Sequence, residues 1–157
     1  MKKLILFIVP VMLFSLTACN EDTQEEKTGQ VVCTLSMNDV VNGYNIESEY
    51  KINYKGDFVE SVDTVETVTS ESQDIIDSFE TTIQDMYSKT NEAYGGYDYE
   101  ITKQEGKLIS DVSIDYNVMD LEKYSNDQPV LKSYMKDGKM TVDGSKSIYE
   151  AMGATCK

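Results

Sequence analysis

Carboxylates are the most abundant groups in this sequence that could carry out chemistry. The chain has 28 Asp and Glu residues. Asp111, Asp115 and Asp120 are spaced around one predicted strand and its exit, and Asp63 and Glu66 lie on another. Paired carboxylates can act as general acid and base in glycoside hydrolysis when they share a cleft at a defined separation. So many acidic residues favour a solvated acidic face, and a small carboxylate-dependent hydrolase is the alternative function.

Tyrosine is the second group, with 11 residues in the chain. Tyr87, Tyr94, Tyr97 and Tyr99 surround the glycine pair at positions 95 and 96. Such a loop could offer a stacking platform for a sugar or a peptide, which makes Tyr94 and Tyr97 candidate ligand-binding residues together with the three aspartates. The spacing of these tyrosines is also what burial alone produces, and this favours a core role.

The composition excludes several kinds of function. Histidine is absent, so the chain lacks the commonest general base and the commonest transition-metal ligand. The acidic pairs with glycine at positions 137–138 and 143–144 do not complete a calcium-binding loop. The net charge of −14 disfavours binding to nucleic acid, which needs Lys and Arg to neutralise phosphates. The sequence therefore predicts a protein that is not an enzyme and has no catalytic residues, metal or cofactor.

The first 18 residues have the parts of a secretory signal. Lys2 and Lys3 precede an apolar run over residues 4–16, and small residues follow it. The run is shorter than the roughly 20 apolar residues that span a bilayer, and Pro10 interrupts it. We therefore interpret residues 1–18 as a cleaved signal peptide.

The cut region, Leu-Thr-Ala-Cys at residues 16–19, resembles the lipobox of bacterial lipoproteins. The resemblance implies that the Cys19 sulfur receives a diacylglyceryl group and that Cys19 becomes the acylated N-terminus, where labelled palmitate would be found. The implied location is the extracytoplasmic face of the bacterial cell membrane, with the acyl chains in the lipid bilayer. An ordinary signal peptide cut nearby and an uncleaved anchor are the alternatives.

The rest of the chain divides into two parts. Residues 20–30 contain no apolar side chain, so we expect residues 19–30 to form an acidic flexible tether. Residues 31–157 are expected to form a single domain. Cleavage after residue 18 would remove two lysines and no carboxylate, which changes the formal charge from −14 to −16.

Two cysteines remain in the domain after Cys19 is used for the lipid. Cys33 and Cys156 are an even number in an exported chain, and this favours a disulfide between them. Two free thiols are the alternative. A redox-active pair is disfavoured, because neither cysteine has a Cys-x-x-Cys partner or an obvious neighbouring cation.

Alternating apolar residues predict most of the strands. Residues 31–37 form a short β-rich run, and residues 44–54 alternate strictly except at Ser48. Residues 58–69 continue as a β-branched strand after a turn, which makes a hairpin. A second hairpin is predicted between residues 97–101 and 108–116.

Between the hairpins the apolar period changes to that of a helix. Ile76, Phe79 and Ile83 recur at three- and four-residue steps, and Ser70 with Gln73 fits a capping box. Shorter helices are predicted at residues 118–124, 129–136 and 145–152, with a small strand at residues 139–142. The predicted fold class is α+β: an antiparallel sheet of two hairpins plus an N-terminal strand, with one main amphipathic helix and short C-terminal helices on one face.

A decapeptide at residues 112–121, Val-Ser-Ile-Asp-Tyr-Asn-Val-Met-Asp-Leu, resembles a motif of YehR-type small bacterial lipoproteins. The turn at residues 54–57 and the C-terminal strand-then-helix pattern are similar as well. The resemblance covers most of residues 31–157 and implies a lipid-anchored α+β domain. It supplies no catalytic residue to carry over.

These observations favour a non-enzymatic lipoprotein that binds an envelope partner or a small or cationic ligand. A carboxylate-dependent hydrolase and a purely structural surface component are the alternatives. The lipid bilayer is an expected partner through Cys19, and nucleic acid is not.

Overall fold

The computed structural model describes residues 27–157. The predicted signal peptide, Cys19 and most of the predicted tether lie outside these residues. The strands are β1 (Thr28–Asp39), β2 (Tyr44–Lys55), β3 (Phe58–Ser70), β4 (Tyr97–Gln104), β5 (Lys107–Asp115), β6 (Met135–Lys136), β7 (Lys139–Met140) and β8 (Thr155–Cys156). The helices are α1 (Gln73–Tyr94), α2 (Leu121–Asp127), a 3₁₀ helix (Pro129–Tyr134) and α3 (Val142–Ala151).

Six strands form one sheet in the order β4-β5-β3-β2-β1-β8, and β6 pairs with β7 in a separate small hairpin. All the pairs are antiparallel. The helix α1 connects β3 to β4, so β5 can pair with β3 although the two strands are distant in sequence. The predicted α+β class is confirmed, and β8 is a strand that the sequence analysis did not predict.

The first strand is longer than predicted. It begins at Thr28 and pairs over its whole length with β2, so that residues 28–30 belong to the sheet and not to the tether. These polar residues can join the strand because β2 offers them partners. Gln30 Nε2, for example, donates a hydrogen bond of 2.7 Å to Asn53 Oδ1.

The sheet has one covered face and one open face, as is common in antiparallel sheets whose strands alternate apolar and polar residues. On the covered face, one core cluster lies under α1, and its buried members are Val68, Ile76, Ile83 and Leu108. A second cluster lies under the C-terminal segments and is built from Cys33, Tyr50, Ile52, Val59, Val62, Met140, Tyr149 and Ala154. Val62 and Val68 lie on the same face of β3 and belong to different clusters. Both clusters are therefore on one face of the sheet, and the helices that cover them lie on that face, as predicted.

The start of α1 differs from the predicted capping box. Ser70 is the last residue of β3, and its hydroxyl donates to the carbonyl oxygen of Gly43 at 2.7 Å. The N-cap is Ser72, whose side chain makes no capping hydrogen bond. Gln73 instead accepts a hydrogen bond from the Gly106 N–H at 3.3 Å. The capping-box prediction was wrong because pairing with β2 extends β3 as far as Ser70.

The C-terminal helix α3 begins three residues before the predicted start. Thr141 caps it by accepting a hydrogen bond of 3.0 Å from the Gly144 N–H, which a Thr at the N-cap does well. Tyr149 of α3 stacks on Tyr50 of β2 with ring centroids 4.3 Å apart. This contact packs α3 against the sheet.

The disulfide between Cys33 and Cys156 is present. Its cysteines are directly opposite each other on β1 and β8, with Cα atoms 3.9 Å apart. Cys33 is fully buried. The bond therefore fastens the end of the chain to the first strand, inside the cluster under the C-terminal segments.

Candidate functional site

A groove of about 450 Å³ lies between the C-terminal half of α1 and the helix α2. We call it the tyrosine groove, and it is lined by Met86, Tyr87, Lys89, Thr90, Ala93, Tyr94, Tyr97, Tyr124 and Gln128. Most of these side chains come from the last turns of α1. Tyr97 comes from the start of β4, and Tyr124 comes from α2, so three elements converge on the groove.

The turn at Gly95 and Gly96 places Tyr94 and Tyr97 on the same groove. Gly96 has a φ of +78°, and a Cβ atom added there would lie 2.7 Å from the carbonyl oxygen of Asp115 and 2.9 Å from Met119 Cβ. Only glycine fits this backbone conformation without strain. The Gly96 carbonyl also accepts a hydrogen bond of 2.8 Å from the Asp115 N–H, which ties the turn to the end of β5.

Tyr94 is held by polar and aromatic contacts with α2. Its hydroxyl donates a hydrogen bond of 3.0 Å to Asp127 Oδ2, and this carboxylate raises the pKa of the Tyr94 phenol. Its ring lies 4.8 Å from the Tyr124 ring. Lys123 Nζ lies 5.6 Å from the centre of the Tyr94 ring and donates to the Ala93 carbonyl. A cation at this distance is attracted by the ring.

Tyr87 and Tyr97 form the inner wall. Their ring centroids are 6.3 Å apart, and Tyr87 also lies 5.4 Å from Tyr99. Burial raises the pKa of Tyr87 and, more strongly, that of Tyr97. Tyr87 and Tyr97 thus have the core role that the sequence spacing favoured, and they also line the groove.

All four tyrosines of the groove have raised pKa values, because of burial at Tyr87, Tyr97 and Tyr124 and because of Asp127 at Tyr94. Their hydroxyls are therefore protonated throughout the physiological pH range. Neutral phenols can both donate and accept hydrogen bonds, and their rings offer flat apolar faces. The groove is thus suited to ring stacking with hydrogen bonds at its rim.

Sequence reasoning identified Tyr94 and Tyr97 but missed Tyr124 and Gln128. Tyr124 was placed at the end of a predicted helix, which in the structure spans Leu121–Asp127. No local pattern indicates that this helix lies beside the end of α1. The contact depends on the chain path after β5, where the Asp120 N–H donates to the Tyr94 carbonyl at 2.8 Å.

The structure does not bring the three candidate aspartates together. The Asp115 carboxylate accepts a hydrogen bond from the Asn117 N–H in a turn, and Asp120 caps α2 by accepting from the Lys123 N–H. Asp111 lies on the open face of the sheet, in a depression that it shares with Asp98 and Glu100. Asp115 and Asp120 therefore each have a role in local structure, in a turn and at a helix cap.

The depression around Asp111 has a volume of about 430 Å³. Asp98, Glu100 and Asp111 are all exposed, so none has the dry surroundings that a catalytic acid needs. Among residues 27–157 no group of three or more Asp, Glu, Cys or His side chains could hold a metal ion.

Asp63 and Glu66 point to opposite faces of β3. Asp63 lies on the open face, where it accepts hydrogen bonds of 2.8 Å from Asn53 Nδ2 and from Ser113 Oγ. Glu66 lies on the covered face, between the two core clusters. It is directly opposite Ser48 on β2 and Ser110 on β5, and these three residues form a polar row across the sheet.

The two serines of the polar row differ in their partners. Ser48 Oγ donates a hydrogen bond of 3.0 Å to Glu66 Oε2. Ser110 is 1% exposed, and its hydroxyl has no hydrogen-bond partner among the described residues. The Tyr87 hydroxyl lies near Ser110. Burial raises the pKa of Tyr87, and the Ser110 hydroxyl has a smaller, lowering effect on it. The two hydroxyls do not reach hydrogen-bonding geometry.

We expect Ser110→Ala to raise the free energy of unfolding by about 1 kcal/mol, because it removes a buried hydroxyl that has no partner. The matched change Ser48→Ala should lower it by about 1–2 kcal/mol, because it removes a hydrogen bond to a carboxylate. Urea unfolding of both variants measures the two effects. Equal destabilisation by both changes would contradict this account of the polar row.

Among the residues that the structure describes, no helix is both long enough and apolar enough to cross a membrane.

The fold and the site together define a small α+β domain with a six-stranded antiparallel sheet, helices on one face and an aromatic groove between two of them. Its fold is similar to that of the YehR protein of Escherichia coli, solved by NMR, with a TM-score of 0.52 and 18% identity over 83% of this chain and 91% of that one. This likeness confirms the YehR-type fold and extends to the fold alone.

A second NMR structure, of a protein from Streptococcus pneumoniae TIGR4, is also similar. It has a TM-score of 0.49 and 18% identity over 100% of this chain and 96% of that one. No protein-family model matches this chain, and no curated protein sequence matches it.

Proposed function

We propose that this protein is an extracytoplasmic lipoprotein, anchored to the bacterial cell membrane by acylated Cys19, and that it binds a ligand without transforming it. The lipobox-like residues 16–19 after a signal sequence support the anchor. The Cys33–Cys156 disulfide supports an exported location, because such bonds persist in oxidising compartments.

The tether between anchor and domain is short. The sheet begins at Thr28, so eight residues separate it from Cys19. At roughly 3.3–3.6 Å per residue, these residues reach at most about 30 Å. The domain would therefore work close to the membrane surface, and its ligand would be an envelope component or a small molecule in that space.

One observation carries the binding proposal: four tyrosines from three elements converge on one groove. We propose that the groove binds a sugar ring, as found in envelope glycans. The half-buried rings of Tyr94 and Tyr124, which line the groove, would stack on the apolar face of the sugar. The phenol hydroxyls and the Gln128 amide would make hydrogen bonds with sugar hydroxyls.

A cationic ligand is the second candidate, because Lys123 already lies over the Tyr94 ring. An ammonium group of a ligand could use the same attraction on the exposed rings. The net charge of −14 would also attract cations towards the protein.

Titration with a neutral sugar and with a cation separates the two ligands. The chain has no tryptophan, so its intrinsic fluorescence comes from its 11 tyrosines. Four of these line the groove, so a ligand that stacks there should change the signal. We expect methyl glucoside, added to the full chain in detergent, to give a saturable change. If tetramethylammonium instead saturates the fluorescence change at a lower concentration than methyl glucoside does, the result would support the cationic ligand.

Two variants of one residue test the stacking. Tyr124→Ala removes a ring from the groove and should weaken binding about fivefold or more, whereas Tyr124→Phe keeps the ring and should bind nearly as well as the unchanged chain. If neither probe gives a saturable change, the binding proposal fails, and a purely structural surface role becomes the better explanation.

The anchor is tested separately from the groove. Cells labelled with radioactive palmitate should yield a labelled protein that partitions into detergent, and Cys19→Ser should lose both properties. An unlabelled protein that is secreted freely would overturn the anchor but leave the groove proposal intact.

A further inference from the structure

The strand β1 has a free edge beyond β8. Val32 exchanges backbone hydrogen bonds of 3.2 and 2.9 Å with Lys157, so the backbone groups of even-numbered residues point to this edge. The strand β8 and Lys157 cover only residues 32–34 of β1, and the sheet ends there. The N–H and C=O groups of Ser36 and Asn38 therefore point outwards without a strand partner among residues 27–157.

This edge lacks the protection that exposed edges usually carry. Residues 34–38, Thr-Leu-Ser-Met-Asn, contain no charged residue and no proline, and β1 has no bulge in its pairing with β2. The one charged residue near this edge, Asp39, is at the end of the strand, where its carboxylate accepts hydrogen bonds from Asn42. The opposite edge of the sheet, β4, carries Asp98, Glu100 and Lys103. Charged residues on edge strands prevent pairing with other chains. The β1 edge is therefore available for pairing with another strand, whereas the charged residues of β4 disfavour such pairing at the opposite edge.

Exposed apolar side chains lie in the middle of the free edge and at both of its ends. Met37 is 40% exposed, and Val40 and Val41, in the turn that follows β1, are 81% and 94% exposed. At the other end, Met152 is 51% exposed, and the next residue, Gly153, lies beside Leu35. The four outward backbone groups of Ser36 and Asn38 thus lie among exposed apolar side chains.

We infer that this edge pairs with the same edge of a second copy of the chain, antiparallel and about a two-fold axis at Met37. Such an axis places Ser36 opposite Asn38 of the other copy, and the four outward backbone groups of each chain find partners. The arrangement is self-complementary, as a two-fold interface must be.

The paired length fits the space that is available. Residues 35–39 of each copy lie between the end of β8 and the turn at residue 40. In this register the turn at Val40 and Val41 of one copy reaches the end of β8 of the other copy, near its Met152. The apolar groups at the two ends therefore cover each other in the dimer.

Charge also selects this edge for contact between copies. The chain carries a net charge of −14, so two copies repel each other over most of their surfaces. The uncharged segment at residues 34–38 is where they can approach with the least repulsion.

A covalent trap tests the register. Met37 is a position where a two-fold axis makes a pair without backbone hydrogen bonds, with Cα atoms about 4.5 Å apart. This is the same kind of pair as Cys33 and Cys156, whose Cα atoms are 3.9 Å apart. We expect Met37→Cys in the full chain, incubated in detergent with a mild oxidant, to form a disulfide-linked dimer on non-reducing gels.

Three controls define the result. The unchanged chain, which retains Cys19, gives the background, and Val65→Cys places an exposed thiol on the open sheet face. Ser36→Pro, added to Met37→Cys, blocks the pairing. Its lost N–H points outwards and has no internal partner, so the domain should fold normally, which the thermal midpoint checks.

We expect Met37→Cys to cross-link at least tenfold faster than Val65→Cys and to lose this advantage with Ser36→Pro. Sedimentation should show a weak dimer at high concentration of the unchanged chain, since an interface this small binds weakly. Equal cross-linking of the two cysteine variants, or cross-linking that survives in a folded Ser36→Pro chain, would overturn the inference.

Discussion

Removing the Cys33–Cys156 disulfide is expected to lower the free energy of unfolding by about 3–5 kcal/mol. The bond joins residues 123 positions apart, so it restricts nearly the whole domain in the unfolded state. It also fastens β8, a two-residue strand that is otherwise joined to β1 by its own pairing and by the two hydrogen bonds between Val32 and Lys157. The loss is a large share of the 5–15 kcal/mol that stabilises a typical domain.

The effect of the disulfide can be measured by thermal unfolding with and without a reducing agent. We expect the midpoint of the unchanged chain to fall by about 10 °C or more on reduction. The double variant Cys33→Ala with Cys156→Ala should show the lower midpoint under both conditions. A midpoint that does not move on reduction would contradict the stabilising role of this bond.

Gly96→Ala is expected to be the most damaging single change near the tyrosine groove, with a loss of about 3 kcal/mol. Two penalties add at this position. The φ of +78° costs an alanine about 1–2 kcal/mol, and its Cβ would lie 2.7 Å from the Asp115 carbonyl oxygen. Relief of this contact would move the turn that places Tyr94 and Tyr97, so sugar binding should weaken as well.

Gly43→Ala separates the two penalties. Gly43 has a similar φ of +74°, but a Cβ atom there meets nothing within 4 Å. We expect it to lose only about 1–2 kcal/mol in urea unfolding and to leave the groove unchanged. If the two alanine variants were equally stable, the contact with the backbone of Asp115 would not be the reason that position 96 requires glycine.

Much of the sheet could be predicted because alternation within a strand is a local property. In β2 the alternating pattern gave the buried side correctly, including Ser48, which is buried although it is polar. The ends of β1 and the start of α1 were missed, because they depend on partners that lie elsewhere in the chain. Residues 28–30 become a strand only because β2 extends beside them.

The candidate site was only partly predictable. Tyr94 and Tyr97 flank a glycine pair, and this local signal identified them. Tyr124 enters the groove through the packing of α2 beside α1, for which the sequence has no local signal. Conversely, the sequence spacing of Asp111, Asp115 and Asp120 indicated a cluster that the fold does not form, because a turn and a helix cap use two of them.

The sequence by itself determined the alternation of the main strands and the amphipathic face of α1, and it favoured the pairing of the two domain cysteines and a lipid anchor. Each depends on residues within one element or on the number of residues of one type. Only the tertiary structure decided that β3 pairs with β5, that a polar row separates two core clusters, that four tyrosines share a groove and that β8 leaves part of β1 uncovered. The reason is that pairing between distant segments is set by the packing of α1 and α3 on the sheet, and no single segment encodes it.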